Sequence, residues 1–296
     1  MTALNDELTR TEQALERVRE EHGERNAQYV TLLNKLAYLH VRRGDPEFAL
    51  PLAQQAVGLD RRLDEAPRRA TLLNNLAVIQ HQLGQTNDAL LSYQEALDLD
   101  RQLLGEDHPQ YATHLNNLAG LHQEMGMLDD ARTFLEQALE IDRTQLGEDH
   151  PQYAAHLNNL ATLLLQTGRL DEALPLMEQA VELGKQTLGP KDPKYASRLN
   201  NLAQLHVEAG RLADAAPLFE EALHVEAESL GTDHPEVGVI LCNYARLQLR
   251  RGKMPEAVAL ADQAHDLFSS RLGEDHPHTQ STLRFLDKLR VEIPAG

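Results

Sequence analysis

The stretch GEDHPQYATHLNNLA occupies residues 105–119, and GEDHPQYAAHLNNLA returns at residues 147–161, 42 residues later. The same step gives GPKDPKYASRLNNLA from residue 189, GTDHPEVGVILCNYA from residue 231 and GEDHPHTQSTLRFLD from residue 273. A fixed period of this length is typical of stacked structural units, which bury their apolar faces against one another. The sequence therefore predicts a repeat protein.

The recurring Asp-His pair could belong to a metal or proton-transfer site. An enzyme needs one assembled site, whereas this pair returns along the whole array and is replaced once, at Asp192. No compact ligand spacing of the zinc type is present. We therefore expect no metal, no cofactor and no catalytic residue, and interpret GEDHP as a helix stop, a turn and a helix start, with Asp107 or His108 as the cap. The histidines concerned are His108, His150, His234 and His276.

Each unit contains two stretches of helical periodicity, separated in the third unit by Gly126. Pro109 stands where the first helix opens, a position at which a missing N–H costs nothing. The unit is therefore expected to form a hairpin of two helices. The first helix is indicated by apolar spacing at Leu115, Leu118, Ala119 and His122, and the second by Ala131, Leu135, Ala138 and Leu139.

Small residues recur where two helices must approach closely. Together with the motifs LNNLA, LGEDHP and EQALEIDR, they resemble the tetratricopeptide repeat of the kinesin light chain type, with 42 residues here against about 34 in the usual repeat. The resemblance implies an all-α, right-handed superhelical solenoid of antiparallel helix pairs. The alanine columns are Ala37, Ala77, Ala119, Ala161, Ala203 and Ala245 in the first helices, and Ala49, Ala89, Ala131, Ala173, Ala215 and Ala257 in the second.

The period divides the chain into an N-terminal capping helix at 1–24, six repeats within 25–276, and a C-terminal capping helix and tail at 277–296. Between the first two repeats the step shortens to 40 residues, which predicts a tighter linker at LDEAP, residues 63–67. Glu7 and Asp287 stand in slots that alanine fills elsewhere, so we expect both ends to stay unpacked and the protein to be a monomer. The repeats lie at about 25–64, 66–104, 107–146, 149–188, 191–230 and 233–272.

Two polar columns run along the first helices, which face the inner surface of such a solenoid. Asparagine is a poor residue for the middle of a helix, but its carboxamide matches a peptide group. We take as peptide-binding candidates an open column and three members of a flanking column. The alternative, which we favour for the flanking column, is that its carboxamides bond the neighbouring repeat. The candidates are Lys35, Asn75, Asn117, Asn159, Asn201 and Asn243 in the open column, and Asn116, Asn158 and Asn200 in the flanking column.

Beside these columns lie apolar residues that either form pockets for a ligand or seal contacts between inner helices. The two ends of the inner face are basic, and Glu124 and Glu208 stand in its middle. A continuous cationic groove for acidic peptides is therefore not indicated. The apolar residues are Val41, Leu165, Val207 and Leu249, and the basic ones are Lys35, Arg42, Arg246 and Arg250.

Composition narrows the classes of partner. The net charge of −18 opposes binding to nucleic acid or anionic lipid, and no apolar run approaches the about 18 residues of a membrane span. The single cysteine, Cys242, excludes an intrachain disulfide framework and suits a reducing compartment. We expect a cytoplasmic protein that binds neither nucleic acid nor membrane.

No nucleophile and base pair up outside the repeated columns, so we expect no enzymatic activity. The leading hypothesis is a scaffold or adaptor that binds a partner peptide or helix in the concave groove. The alternative is a ligand- or peptide-gated regulator that switches curvature to release an output partner. A change in solution radius on peptide binding would distinguish the two.

Overall fold

The computed structural model describes residues 2–63 and 66–291, and over these ranges it consists of fourteen α-helices without a strand. Residues 64 and 65 of the predicted LDEAP linker, the first of which also ends the first predicted repeat, and residues 292–296 of the predicted tail lie outside the described residues. The helices are α1 (Thr2–His22), α2 (Ala27–Arg43), α3 (Pro46–Leu63), α4 (Ala66–Gln82), α5 (Thr86–Leu103), α6 (Pro109–Glu124), α7 (Leu128–Gln145), α8 (Pro151–Gln166), α9 (Leu170–Thr187), α10 (Pro193–Glu208), α11 (Leu212–Leu230), α12 (Pro235–Arg250), α13 (Met254–Leu272) and α14 (Pro277–Val291).

The helices belong to two compact units, residues 1–146 and residues 147–296. In the first unit, α1 precedes the antiparallel pairs α2/α3, α4/α5 and α6/α7; in the second, α14 follows the pairs α8/α9, α10/α11 and α12/α13. The 42-residue period therefore matches the observed helix layout. In both units the alanine columns are at most 1% exposed, so the first and second helices meet at these small side chains.

The recurring histidine is a helix cap. His150 Nδ1 accepts a hydrogen bond from the backbone N–H of Gln152 at 3.2 Å, and Asp192 makes the equivalent bond through Oδ1 to the N–H of Lys194 at 2.7 Å. Both bonds satisfy an N–H that has no partner within the helix. Asp and His are thus interchangeable at this position because each offers an acceptor at the same place. Equivalent bonds are made by His108, His234 and His276.

Both predicted end charges reach solvent, Glu7 as a half-buried residue and Asp287 as an exposed one. Glu7 lies on α1, where its carboxylate forms an ion pair with Lys35 Nζ at 3.0 Å. Asp287 lies exposed on α14. A charged side chain is therefore tolerated at each slot, whereas the alanines of the complete repeats are enclosed.

A further column of buried residues, which the repeat pattern did not indicate, lies near the C-terminal ends of the second helices. We call it the junction column, because its side chains lie against the first helix of the following hairpin. Its residue type changes along the chain from aspartate to glycine, glutamate and phenylalanine, yet every member is buried. The members are Asp60, Asp100, Asp142, Gly184, Glu226 and Phe268.

The surroundings of the junction column change with its side chain. Asp100 Oδ2 lies 2.7 Å from His114 Nδ1. At Gly184 the space of the missing side chain is filled by the guanidinium of Arg198, with which an added Cβ would collide. The pair of Asp100 and His114 at one junction is thus replaced at another by Gly184, which leaves room for Arg198.

Candidate peptide-binding face

The first helices of each unit present one side to solvent, which we call the first-helix face; it carries the two polar columns. Lys35 is exposed and paired with Glu7, Asn243 is buried, and the remaining open-column side chains are half-buried. The open column is therefore less accessible than its position on a helical wheel suggests. The half-buried members are Asn75, Asn117, Asn159 and Asn201.

The two asparagine columns are connected by hydrogen bonds between consecutive repeats. In each case the Nδ2 of an open-column residue donates to the Oδ1 of a flanking-column residue one repeat earlier. A carboxamide has a second N–H and further lone pairs, so these bonds leave hydrogen-bonding capacity for a ligand. Contact with a ligand stays a prediction. The bonds join Asn75 to Asn34 at 3.1 Å, Asn117 to Asn74 at 2.9 Å, Asn201 to Asn158 at 3.1 Å and Asn243 to Asn200 at 3.0 Å.

These bonds predict a stability cost for changes in the flanking column. Asn200 and Asn243 are 7% and 8% exposed, so Asn200→Ala leaves a buried N–H of Asn243 without its acceptor. We expect the free energy of unfolding to fall by about 1–3 kcal/mol. Denaturant titration measures it, with the exposed Asn87→Ala as control, expected within about 0.5 kcal/mol of wild type. Equal unfolding midpoints for the two variants would show that the bond between repeats does not stabilise the fold.

An apolar pocket of about 500 Å³ opens on the first-helix face of the second unit, between α10 and α12. Leu165, Val207 and Leu249 line it, so the structure brings together three of the apolar residues that the sequence marked as candidates. Phe219 of α11, which the sequence analysis missed, also contributes to the lining.

Two arginines border this apolar pocket and differ in their pairing. Arg250 Nη2 binds both carboxylate oxygens of Glu208, at 2.8 and 2.9 Å. Arg246 Nη1 donates to Asn243 Oδ1 at 2.9 Å, and no described carboxylate forms an ion pair with it. This end of the groove between α10 and α12 therefore has a net positive charge.

A second pocket, of about 270 Å³, lies toward the N-terminal ends of the same two helices; we call it the Glu226 pocket. Its lining includes Glu226 of α11, which is only 3% exposed, together with Glu236 and Ile240 of α12. Burial, together with the nearby negative charges of Glu236 and Asp192, raises the pKa of the Glu226 carboxyl to about 7. The repeat pattern did not indicate this pocket, although Glu226 lies in register with the aspartates of the junction column.

The raised pKa of Glu226 predicts a pH-dependent stability. Its pKa in the fold lies above that of an unfolded chain, so the folded state binds the proton more tightly. The protonated carboxyl is accommodated at acidic pH, and stability is lost as pH rises toward and through about 7. We expect Glu226→Gln to gain about 1–3 kcal/mol over wild type at pH 8 and little at pH 5, measured by denaturant titration at each pH. A constant difference between the two proteins would contradict the raised pKa.

Within the described residues no group of three or more His, Cys, Asp or Glu side chains could hold a metal ion. Over the same part of the chain, no helix is both long and apolar enough to span a bilayer. The features that this face does offer are carboxamides, an apolar pocket and two oppositely charged ends.

Comparison with known families assigns this architecture. One tetratricopeptide repeat model matches residues 68–144, 112–186 and 152–225, and a second tetratricopeptide repeat model matches residues 200–271. The matches together run from residue 68 to residue 271, more than half of the chain, and the chain belongs to the tetratricopeptide repeat family. The comparison with curated proteins gives no significant match.

Solved structures show the same all-α superhelical repeat fold. BtubC (BKLC) from P. vanneervenii is 23% identical, over 77% of this chain and 92% of that chain, with a TM-score of 0.64. A putative kinesin light chain from Podosopora anserina with nearly identical TPR-like repeats is 26% identical, over 70% of this chain and 97% of that chain, with a TM-score of 0.60. The predicted likeness to kinesin light chain repeats is thereby confirmed.

Proposed function

We propose that this protein is a scaffold or adaptor that binds a peptide or a small helix of its partner on the first-helix face of the second unit. The tetratricopeptide fold is in general a protein–protein interaction scaffold, and its members are typically non-enzymatic. The observation that carries the proposal is the apolar pocket between α10 and α12.

The apolar pocket has the properties of a side-chain anchor site. Its volume of about 500 Å³ falls within the range of about 300–1,000 Å³ typical of ligand sites. Leu165, Val207 and Leu249 offer apolar contact, while Arg246 and Asn243 place polar groups beside it. An apolar side chain of the partner would be buried there, and its backbone would lie within reach of hydrogen-bonding groups.

The proposal predicts that the full chain retains peptides from an immobilised library of random short sequences. Leu165 is half-buried in the lining, so Leu165→Glu places a charge where the apolar side chain would bind. We expect the retained peptides to bind Leu165→Glu at least about tenfold more weakly than wild type, measured by fluorescence polarisation.

The control is Leu91→Glu, which changes an exposed apolar side chain of α5 in the other unit. It should bind the peptides as wild type does, and both variants should melt close to wild type. Peptides that bind Leu165→Glu at full strength, or a library from which nothing is retained, would refute the proposed function.

A further inference from the structure

Glu226 differs from the junction-column aspartates whose partners are described. Asp60 lies within 2.8 Å of Arg68 Nη2, and Asp100 lies within 2.7 Å of His114 Nδ1. In the described part of the chain no hydrogen bond or ion pair involves the Glu226 carboxyl. Ile240 occupies the position that His114 occupies three hairpins earlier. Ile240 therefore cannot pair with the Glu226 carboxyl as His114 pairs with Asp100.

The Glu226 pocket leaves room beside this carboxyl. Its volume of about 270 Å³ is several times the about 30 Å³ that one water molecule occupies in the liquid. Leu230, Val239 and Ile240 give it apolar walls, and Glu236 adds a second carboxylate. Apolar walls that end at a carboxylate match the methylene stem and charged head of a basic side chain.

We propose that the Glu226 pocket binds a lysine or arginine side chain of the partner segment, which acts as the counterion of the Glu226 carboxylate. The inference rests on the proposed function, since it assigns a second anchor to the same face. Lys194, which also lines the pocket, is exposed and forms no described ion pair with Glu226 or Glu236.

The two pockets set the spacing of the anchors. Asn200 lines the Glu226 pocket and Asn243 lines the apolar pocket, and the hydrogen bond from Asn243 Nδ2 to Asn200 Oδ1 connects the two linings. Along α10, Ser197 in one lining and Val207 in the other are separated by about 15 Å, at about 1.5 Å per residue. An extended segment covers this distance in about five residues. The basic residue should therefore stand about three to five positions from the apolar anchor.

Ionisation of Glu226 should make the binding of a basic side chain depend on pH. Glu226 is flanked by Glu236 of α12 and Asp192 before α10, with Lys194 at the margin, and its pKa is raised to about 7. A basic side chain binds the ionised carboxylate, so binding must expel the proton. Affinity for a lysine-containing peptide should rise about tenfold from pH 6 to pH 8, and this rise should vanish in Glu226→Gln.

The experiment screens the full chain against the random peptide library and then titrates retained peptides between pH 6 and pH 8. We expect lysine or arginine to be enriched at one position, with the enrichment lost in Glu226→Gln and kept in Glu256→Gln. Glu256 is an exposed glutamate of α13 outside both pockets. Peptides that are retained without such enrichment, or whose enrichment survives Glu226→Gln, overturn this inference and leave the proposed function intact.

A second measurement needs no peptide. Butylammonium, an analogue of the lysine side chain, is added to the chain carrying ¹³C-labelled glutamate, and the Glu226 carboxyl carbon is followed against pH. A fall in its titration midpoint supports the pocket as a cation site, and an unchanged midpoint overturns the inference even where the library has retained peptides.

Discussion

Phe268→Ala is expected to lower the free energy of unfolding by about 3–5 kcal/mol, because the ring is 1% exposed and fills the last slot of the junction column. The ring fits there because position 238 is a glycine: a Cβ at Gly238 would lie 2.7 Å from two ring carbons. Denaturant titration of wild type and variant measures the loss.

The companion substitution Gly238→Ala tests whether the Phe268 ring depends on the space that the glycine leaves for it. In the wild-type background the added methyl group should cost about 1–3 kcal/mol through overpacking. In the Phe268→Ala background the same change should be neutral, or stabilising by up to about 1 kcal/mol through helix propensity. Equal effects in the two backgrounds would show that the glycine and the ring are not coupled.

Asp60→Ala is expected to cost about 3–5 kcal/mol, because it leaves two arginines without their shared partner. Asp60 is fully buried, with Oδ1 at 2.8 Å from Arg68 Nη2 and Oδ2 at 3.2 Å from Arg69 Nε. A guanidinium keeps its charge at any accessible pH, so neither arginine can compensate for the missing carboxylate by releasing a proton. The midpoint of chemical unfolding reports the cost.

The matched control is Asp98→Ala, which removes an exposed carboxylate paired with Arg101 at 3.3 Å. Exposed pairs contribute at most about 1 kcal/mol, so this variant should stay close to wild type. If the two substitutions cost the same, burial does not govern the strength of the Asp60 pair.

The fold could be predicted from the sequence because the residues that mark turns, helix starts and close helix packing recur together in each repeat. Gly126 and its equivalents mark turns, Pro109 and its equivalents mark helix starts, and alanine marks each close approach. The choice of cap between Asp107 and His108 was left open, since both types can accept the bond. The structure assigns it to His108, whose Nδ1 lies 3.1 Å from the N–H of Gln110.

The asparagine columns were only partly predictable. Bonding of the flanking column to the neighbouring repeat was foreseen, but its partner was not. The partner is the open column of the next repeat, as in the bond from Asn243 to Asn200. A helical wheel shows one helix at a time. It therefore does not show that the side chains of the two columns reach each other across adjacent helices.

The two pockets could also be predicted only in part from the sequence. Leu165, Val207 and Leu249 follow the period, so their column is visible in the sequence. The Glu226 pocket arises from a difference between repeats, where Ile240 stands in place of a basic residue. Such a position is not part of the periodic pattern and becomes visible only where the residue type changes along one column.

The most direct test of the central claim is a crystal structure of the full chain with the best-retained library peptide. We expect the peptide on the first-helix face of the second unit, with an apolar side chain among Leu165, Val207 and Leu249. A peptide bound instead along the second helices α9, α11 and α13, with that pocket empty, would contradict it.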